Sequence, residues 1–134
     1  MNGGDTRLET IEDLIRWGAN CFSAEGIFFG HGTDNAVDES AALVFHVLNL
    51  EYDLPAESLQ NTPTAGEKSA ILELFQRRVS GRLPAAYLIN KSYFAGLPFY
   101  VDERVLVPRS PIAELIENGF VPWIDPERVT RVLD

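Results

Sequence analysis

Cysteine occurs once, at Cys21, so no disulfide can close within the chain, and a reducing cytoplasm is the compartment expected of it. No charged-then-apolar leader opens the sequence, and no apolar run nears the roughly 18 residues of a membrane span. Tight ligand pairs of the H-E-x-x-H or C-x-x-C kind are missing. Basic residues are scarce: 11 stand against 20 acids, a net charge of −9 and a pI near 4.6. That balance excludes a nucleic-acid binder working through a general basic surface, and no direct nucleic-acid contact is expected. What remains is ordinary globular composition, 46% hydrophobic and 23% charged over 134 residues, enough for a domain of modest size.

The charge is unevenly placed. Residues 1–60 hold eleven acids against only Arg7 and Arg16, whereas the remaining 74 carry nine of each sign. The whole net charge therefore belongs to the first segment, and a basic or neutral partner suits it.

Helical period opens the chain: Leu8, Ile11, Ile15, Gly18 and Phe22 recur at steps of three and four, and Thr6 followed by Glu9 has capping-box spacing. These place a first helix over 6–22. Residues 25–35, with three glycines and cap formers at their end, read as a connection that turns two aromatics inward. A second helix over 35–50 follows from Val37, Ala41, Val44, Val47 and Leu48. A third, from the Thr64/Glu67 capping box to about Ser80, follows from Ala70, Ile71, Leu74, Phe75 and Val79, with Gly81 as its left-handed cap. At Pro84 the pattern changes to short β-prone pieces, Tyr93-Phe94 and Phe99-Tyr100-Val101, for which Gly96-Leu97 suits a two-residue hairpin turn. A helical segment from Pro111 to Asn118 ends at Gly119, and the β-branched run 129–134 reads as the opening of a buried strand. Such a strand requires neighbours and a crossover, so a truncation inside a larger protein is expected, with the uncovered strand edge as a contact between copies.

Candidate chemistry is thin when the residues are read alone. His31, Asp34 and His46 are the material for a metal site, but His46 falls between Leu43 and Leu50 at helical spacing, where a half-buried helix histidine is the plainer reading. Gly30-His31-Gly32 lacks the third glycine of a phosphate loop. Cys21 has no adjacent base to activate it. Arg77, Arg78 and Arg82 either complement the negative end of the third helix or meet an anion. Arg109, fixed after Pro108, offers a planar fork for a carboxylate.

Three stretches are more specific: Leu83-Pro84-Ala85-Ala86-Tyr87-Leu88, Tyr93-Phe94-Ala95-Gly96-Leu97-Pro98-Phe99-Tyr100-Val101, and Val105-Leu106-Val107-Pro108-Arg109. Together they resemble the region just before the catalytic domain in the protein-glutamine N(5)-methyltransferases. The release-factor branch of that family typically continues Pro-Arg-Pro-Glu-Thr-Glu. Here the chain reads Pro108-Arg109-Ser110-Pro111-Ile112-Ala113-Glu114, which, with Phe28-Phe29-Gly30-His31-Gly32-Thr33-Asp34-Asn35, is similar to the branch acting on large-subunit ribosomal protein L-three.

The resemblance implies an α+β architecture. Residues 1–82 would form a helical substrate-recognition bundle, 83–107 a β-hairpin linker, and 108–134 the truncated start of a Rossmann-like domain that binds S-adenosylmethionine. It places Pro108 and Arg109 beside the methyl donor and makes a basic ribosomal protein the substrate. The family's glycine loop and Asn-Pro-Pro-Tyr motif do not occur in these residues, so the 134-residue chain alone is expected to be inactive. The acidic segment argues independently in the same direction, with Asp34, Asp38 and Glu39 expected to steer a basic substrate electrostatically. Two rivals stand beside this reading: a non-enzymatic acidic helical adapter, and a metal hydrolase built on His31 and His46.

Overall fold

A computed structural model of the chain describes residues 7–30 and 33–133. Helix α1 spans Ile11–Ala24, beginning at Thr10, whose hydroxyl accepts from the Asp13 N–H at 3.1 Å while the Asp13 carboxylate accepts from the Thr10 N–H at 3.0 Å. The reciprocal cap satisfies two otherwise orphaned donors. The expected start four residues earlier is thus corrected: Glu9 precedes the helix, and Thr6 lies outside the described residues. Ile11, Leu14, Ile15, Gly18, Ala19 and Phe22 form the buried stripe of α1.

Helix α2 spans Ala36–Leu48, capped by Asn35 Oδ1, which accepts from the Asp38 N–H at 2.9 Å, and closed by Asn49 in the left-handed region at φ 52°. Its inner face carries Glu39, Ser40, Ala42, Leu43, Val44 and Phe45, whereas Val37 is exposed. The expected stripe is therefore rotated. Two polar residues turn inward because each finds a partner there: Ser40 Oγ donates to the Ile15 carbonyl at 2.8 Å, and Glu39 meets Arg78.

A 3₁₀ turn, Ala56–Gln60, lies between Pro55 and Pro63, and α3 (Ala65–Gly81) follows with the Thr64/Glu67 capping box in place. Gly81 is the last helical residue, and Arg82 takes the left-handed position at φ 53° that Gly81 was expected to hold. Phe75 of α3 stands edge-on to Phe22, their ring centres 5.4 Å apart. It also abuts Gly18 so closely that a Cβ there would come within 2.5 Å of the Phe75 ring and 2.4 Å of Ser40 Oγ. Only glycine lets these helices approach so closely.

After Pro84 the chain forms one more short helix, α4 (Ala85–Ile89), which the change of pattern at that proline concealed. Ala85 and Leu88 join the core of α1, α2 and α3, while Ala86 and Tyr87 pack with Val101 and Val107 in a second, smaller cluster. Strands β1 (Ser92–Phe94) and β2 (Leu97–Phe99) form an antiparallel hairpin with Phe94 opposite Leu97. Its two loop residues are Ala95 and Gly96, at φ 49° and 74°, rather than Gly96 and Leu97. Left-handed geometry at both positions gives the loop a twist that matches its strands.

Helix α5 (Ile112–Glu117) lies where the sequence placed it, with Gly119 at φ 61° after it. Residues 129–133 lie in no strand, and Val132 and Leu133 are almost fully exposed. A strand exists only through its ladder, and among the described residues nothing pairs with this run. The architecture is thus α+β, dominated by helices, with one small antiparallel hairpin. No helix of the described residues is long and apolar enough to cross a membrane.

Candidate functional site

The loop between α1 and α2 is held from beneath by a charge pair. Glu39 and Arg78, 39 positions apart in sequence, are 2% and 3% exposed. Arg78 Nε donates to Glu39 Oε2 at 2.8 Å, and its Nη2 donates to the Phe28 carbonyl at 2.8 Å and to Glu39 Oε1 at 3.4 Å. Thr33 Oγ1 donates to the same carboxylate at 3.4 Å. One guanidinium and one carboxylate therefore hold the loop at Phe28 and at Thr33, an arrangement whose desolvation is tolerable because each charge meets the other and further polar groups.

This geometry corrects two sequence readings. Glu39 is spent inside the protein and offers no charge to an outside partner. Arg78 is its buried counterion rather than part of a surface cluster with Arg77 and Arg82, and Arg82 instead donates to the Gly26 carbonyl at 3.3 Å. The signal that marks Glu39 and Arg78 as internal was present in the helical spacing. Glu39 lies four residues before Leu43, and Arg78 three after Phe75 and seven after Ile71, so each extends a buried stripe.

Above the pair the loop presents Phe28 to solvent at 79% exposure, while Ile27 is buried and Phe29 is half-buried against the core. Asp34 and Asp38 are exposed at the start of α2, Asp38 accepting from Asn35 Nδ2 at 2.7 Å. Asp34 and Asp38 are thus exposed where Glu39 is buried. The exposed phenyl group was not foreseen, since the sequence pattern turned both aromatics inward.

Pro108 is half-buried and Arg109 exposed, immediately after Val107, which is 1% exposed in the second cluster. Segment 101–107 is tied to α4 by the Tyr87 hydroxyl donating to the Val105 carbonyl and by Asn90 Nδ2 donating to the Val101 carbonyl at 3.1 Å. An open groove of about 430 Å³ beside it is lined by Arg77, Tyr87, Asn90, Asp102 and Arg104. Arg104 grips Asp102 through both carboxylate oxygens and holds its acid form down at about 2, so this groove already contains its own counterion. A second groove of about 400 Å³, between α1 and α3, is lined mainly by Leu8, Trp17, Cys21, Leu72, Phe75 and Val79. Burial, aided by Glu25, pushes the Cys21 thiol up, away from a reactive thiolate.

His46 is exposed rather than half-buried, and His31 lies outside the described residues. Among the described residues no three His, Cys, Asp or Glu side chains stand together as a metal site.

No family model matches the chain. Among proteins of known sequence it is 54% identical over 127 residues to the ribosomal protein uL3 glutamine methyltransferase of Xanthomonas campestris pv. campestris, covering 95% of this chain and 41% of that protein. It is 52% identical over 127 residues to the protein of the same name from Xylella fastidiosa, again across 41% of its length. With that of Bordetella pertussis it shares 46% over 135 residues, all of this chain and 45% of the relative. The resemblance carried by the 83–117 motifs holds, therefore, and extends over nearly the whole chain. The chain spans about two-fifths of the length of these curated relatives.

Proposed function

We propose that this chain is the substrate-recognition portion of an S-adenosylmethionine-dependent methyltransferase acting on a glutamine side-chain amide of ribosomal protein uL3 in the cytoplasm. Identity of 46–54% along 95–100% of the chain to proteins named for that activity carries the reading. In it, residues 1–82 recognise the substrate, 83–107 link, and 108–134 open a Rossmann-like domain. The exposed apolar side chains of Ile112, Leu115 and Ile116 suit a segment that packs against more protein.

Among residues expected to meet the methyl donor, the exposed fork of Arg109 suits a carboxylate such as that on the donor's amino-acid end, with Pro108 fixing the backbone before it. The donor supplies the methyl group, and Arg109 contributes one orienting contact. One arginine on an open surface does not enclose a donor, and so the 134-residue chain is inactive alone in this reading. Asp34 and Asp38, exposed on a segment that carries all the net negative charge, attract a basic ribosomal protein.

The test is transfer of labelled methyl from S-adenosylmethionine to uL3 free of rRNA. A chain extended to the length of the relatives should label uL3, and the 134-residue chain should not. Absence of labelling by the long chain refutes the enzymatic reading and leaves an acidic adapter.

A further inference from the structure

Two adjoining hollows of about 100 Å³ each open where the end of α2, segment 49–52, the end of α4 and the start of β1 meet. Both are lined by Ala42, Tyr52, Ile89, Lys91 and Tyr93, so they form one cleft with two tyrosines in its walls. Tyr52 and Tyr93 stay 65% and 54% exposed, yet both are held. The Tyr52 ring stands edge-on to Phe45 with centres 5.3 Å apart, and Tyr93 is fixed in register opposite Pro98. Lys91, two positions before Tyr93 in extended chain and so on the same side, sets its Nζ over the Tyr93 ring, 5.3 Å from the centre. It forms no ion pair with any carboxylate among the described residues, and the ring face is therefore its main hold. Glu51 lines one of the hollows, and Asp38 bears on the other wall, where burial, then Tyr93 and Asp38, push the Tyr52 hydroxyl up. Tyr93, with Glu51 adding to it, holds the Lys91 ammonium above its ordinary pKa, so the cleft favours a positive charge.

We propose that this cleft seats a lysine or arginine side chain of the basic protein substrate, and that Lys91 holds the place of that side chain until it arrives. Size and chemistry choose the occupant. Hollows of about 100 Å³ fall well short of the roughly 300 Å³ or more of a small-molecule site and suit the end of one long side chain. Exposed tyrosine faces attract a cation, and the Glu51 carboxylate beside them adds opposite charge, from which a purely apolar side chain would gain nothing. The ammonium already seated on Tyr93 shows that this ring face accepts one. Tyr52 belongs to the bundle and Tyr93 to the hairpin, so a side chain held between them is registered against both. Preorganised aromatics of this kind are the usual energetic centre of an interface. The inference rests on the proposed uL3 reading and deepens it by naming the place of contact and the side chain it takes.

The test is binding of the 134-residue chain to purified uL3 free of rRNA, by titration calorimetry, with a melting temperature for each variant. Tyr52→Leu with Tyr93→Leu should weaken binding about tenfold or more, whereas Tyr52→Phe with Tyr93→Phe, which keeps both ring faces, should stay within about threefold of the parent. Lys91→Gln removes the internal competitor and should tighten binding about threefold or more relative to Arg128→Gln, an exposed change of equal charge outside the cleft. If Lys91→Gln weakens binding, Lys91 is gripping an acidic group of the partner and the proposal is overturned; an effect equal to that of Arg128→Gln overturns it too. If the parent binds uL3 and the leucine pair binds as tightly, the cleft is overturned and the substrate reading stands. Should the leucine pair also lose melting temperature, the phenylalanine pair and Lys91→Gln decide. If the parent chain itself fails to bind, substrate recognition by this portion is overturned and the cleft falls with it.

Discussion

Removing one member of the Glu39–Arg78 pair leaves the other charge buried, because both side chains are at most 4% exposed. Such a break costs about 3–5 kcal/mol, a large share of the roughly 5–15 kcal/mol that holds a domain together. At about 4 °C per kcal/mol for a chain of this length, Arg78→Met or Glu39→Gln should lower the melting temperature by roughly 12–20 °C. Arg78→Met further frees the Phe28 carbonyl, adding about 1 kcal/mol. The double variant Glu39→Leu with Arg78→Met removes both charges and should recover most of the loss, ending within about 1–2 kcal/mol of the parent. Urea unfolding followed by circular dichroism, with equal m-values confirming comparable two-state transitions, measures all of these. If each single variant lost less than about 1 kcal/mol, or if the double variant lost the sum of the two, the pair would not be a desolvated unit and the reasoning would fail.

Gly18→Ala should destabilise by about 1–3 kcal/mol despite alanine's better helix propensity, since the new methyl group collides with Phe75 and Ser40; a midpoint in urea equal to or above the parent's would show that α1 and α3 can separate at no cost. Acid should weaken the fold in a defined window. The carboxyls of Asp13 and Glu67 are held below their ordinary values by backbone N–H groups at the helix starts, and that of Asp102 down at about 2 by Arg104. A lowered folded-state value means that stability is complete above about pH 4.5 and is lost progressively as pH falls toward 2. Urea midpoints from pH 6 to 2.5 should decline only below about 4.5, and Glu67→Gln should make the decline shallower by removing one of these carboxyls.

Regular spacing made the three main helices legible: Ile11, Ile15, Gly18 and Phe22 line one face of α1, and Ile71 and Phe75 one face of α3. What was misread was degenerate or distant. Thr6/Glu9 and Thr10/Asp13 present the same cap chemistry one turn apart, and the choice between them rests partly on the Ile11 N–H donating to the Asn61 carbonyl, 50 residues away. Helix α4 is five residues long, too short for a 3.6-residue period to show. The hairpin loop slipped by one because Ala95 occupies a left-handed position that sequence rules reserve for glycine, asparagine or aspartate. At the candidate site the exposed acids Asp34 and Asp38 were foreseen. Glu39 was not recognised as internal although its spacing from Leu43 marks it so, because the partner that makes a buried carboxylate tolerable lies on another helix.

Helix α4 has a consequence for how this chain can change over time. Its five residues belong to two packed clusters at once: Ala85, Leu88 and Ile89 to the bundle, Ala86 and Tyr87 to the packing beneath Val101 and Val107. A residue inserted within 85–89 would turn everything downstream by about 100° and leave one of those clusters without its contacts. Drift in length is therefore barred here while the hairpin loop at Ala95 and Gly96 can accept it, and the bearing of Val101 and Val107 relative to the bundle is set as if by a splint between them.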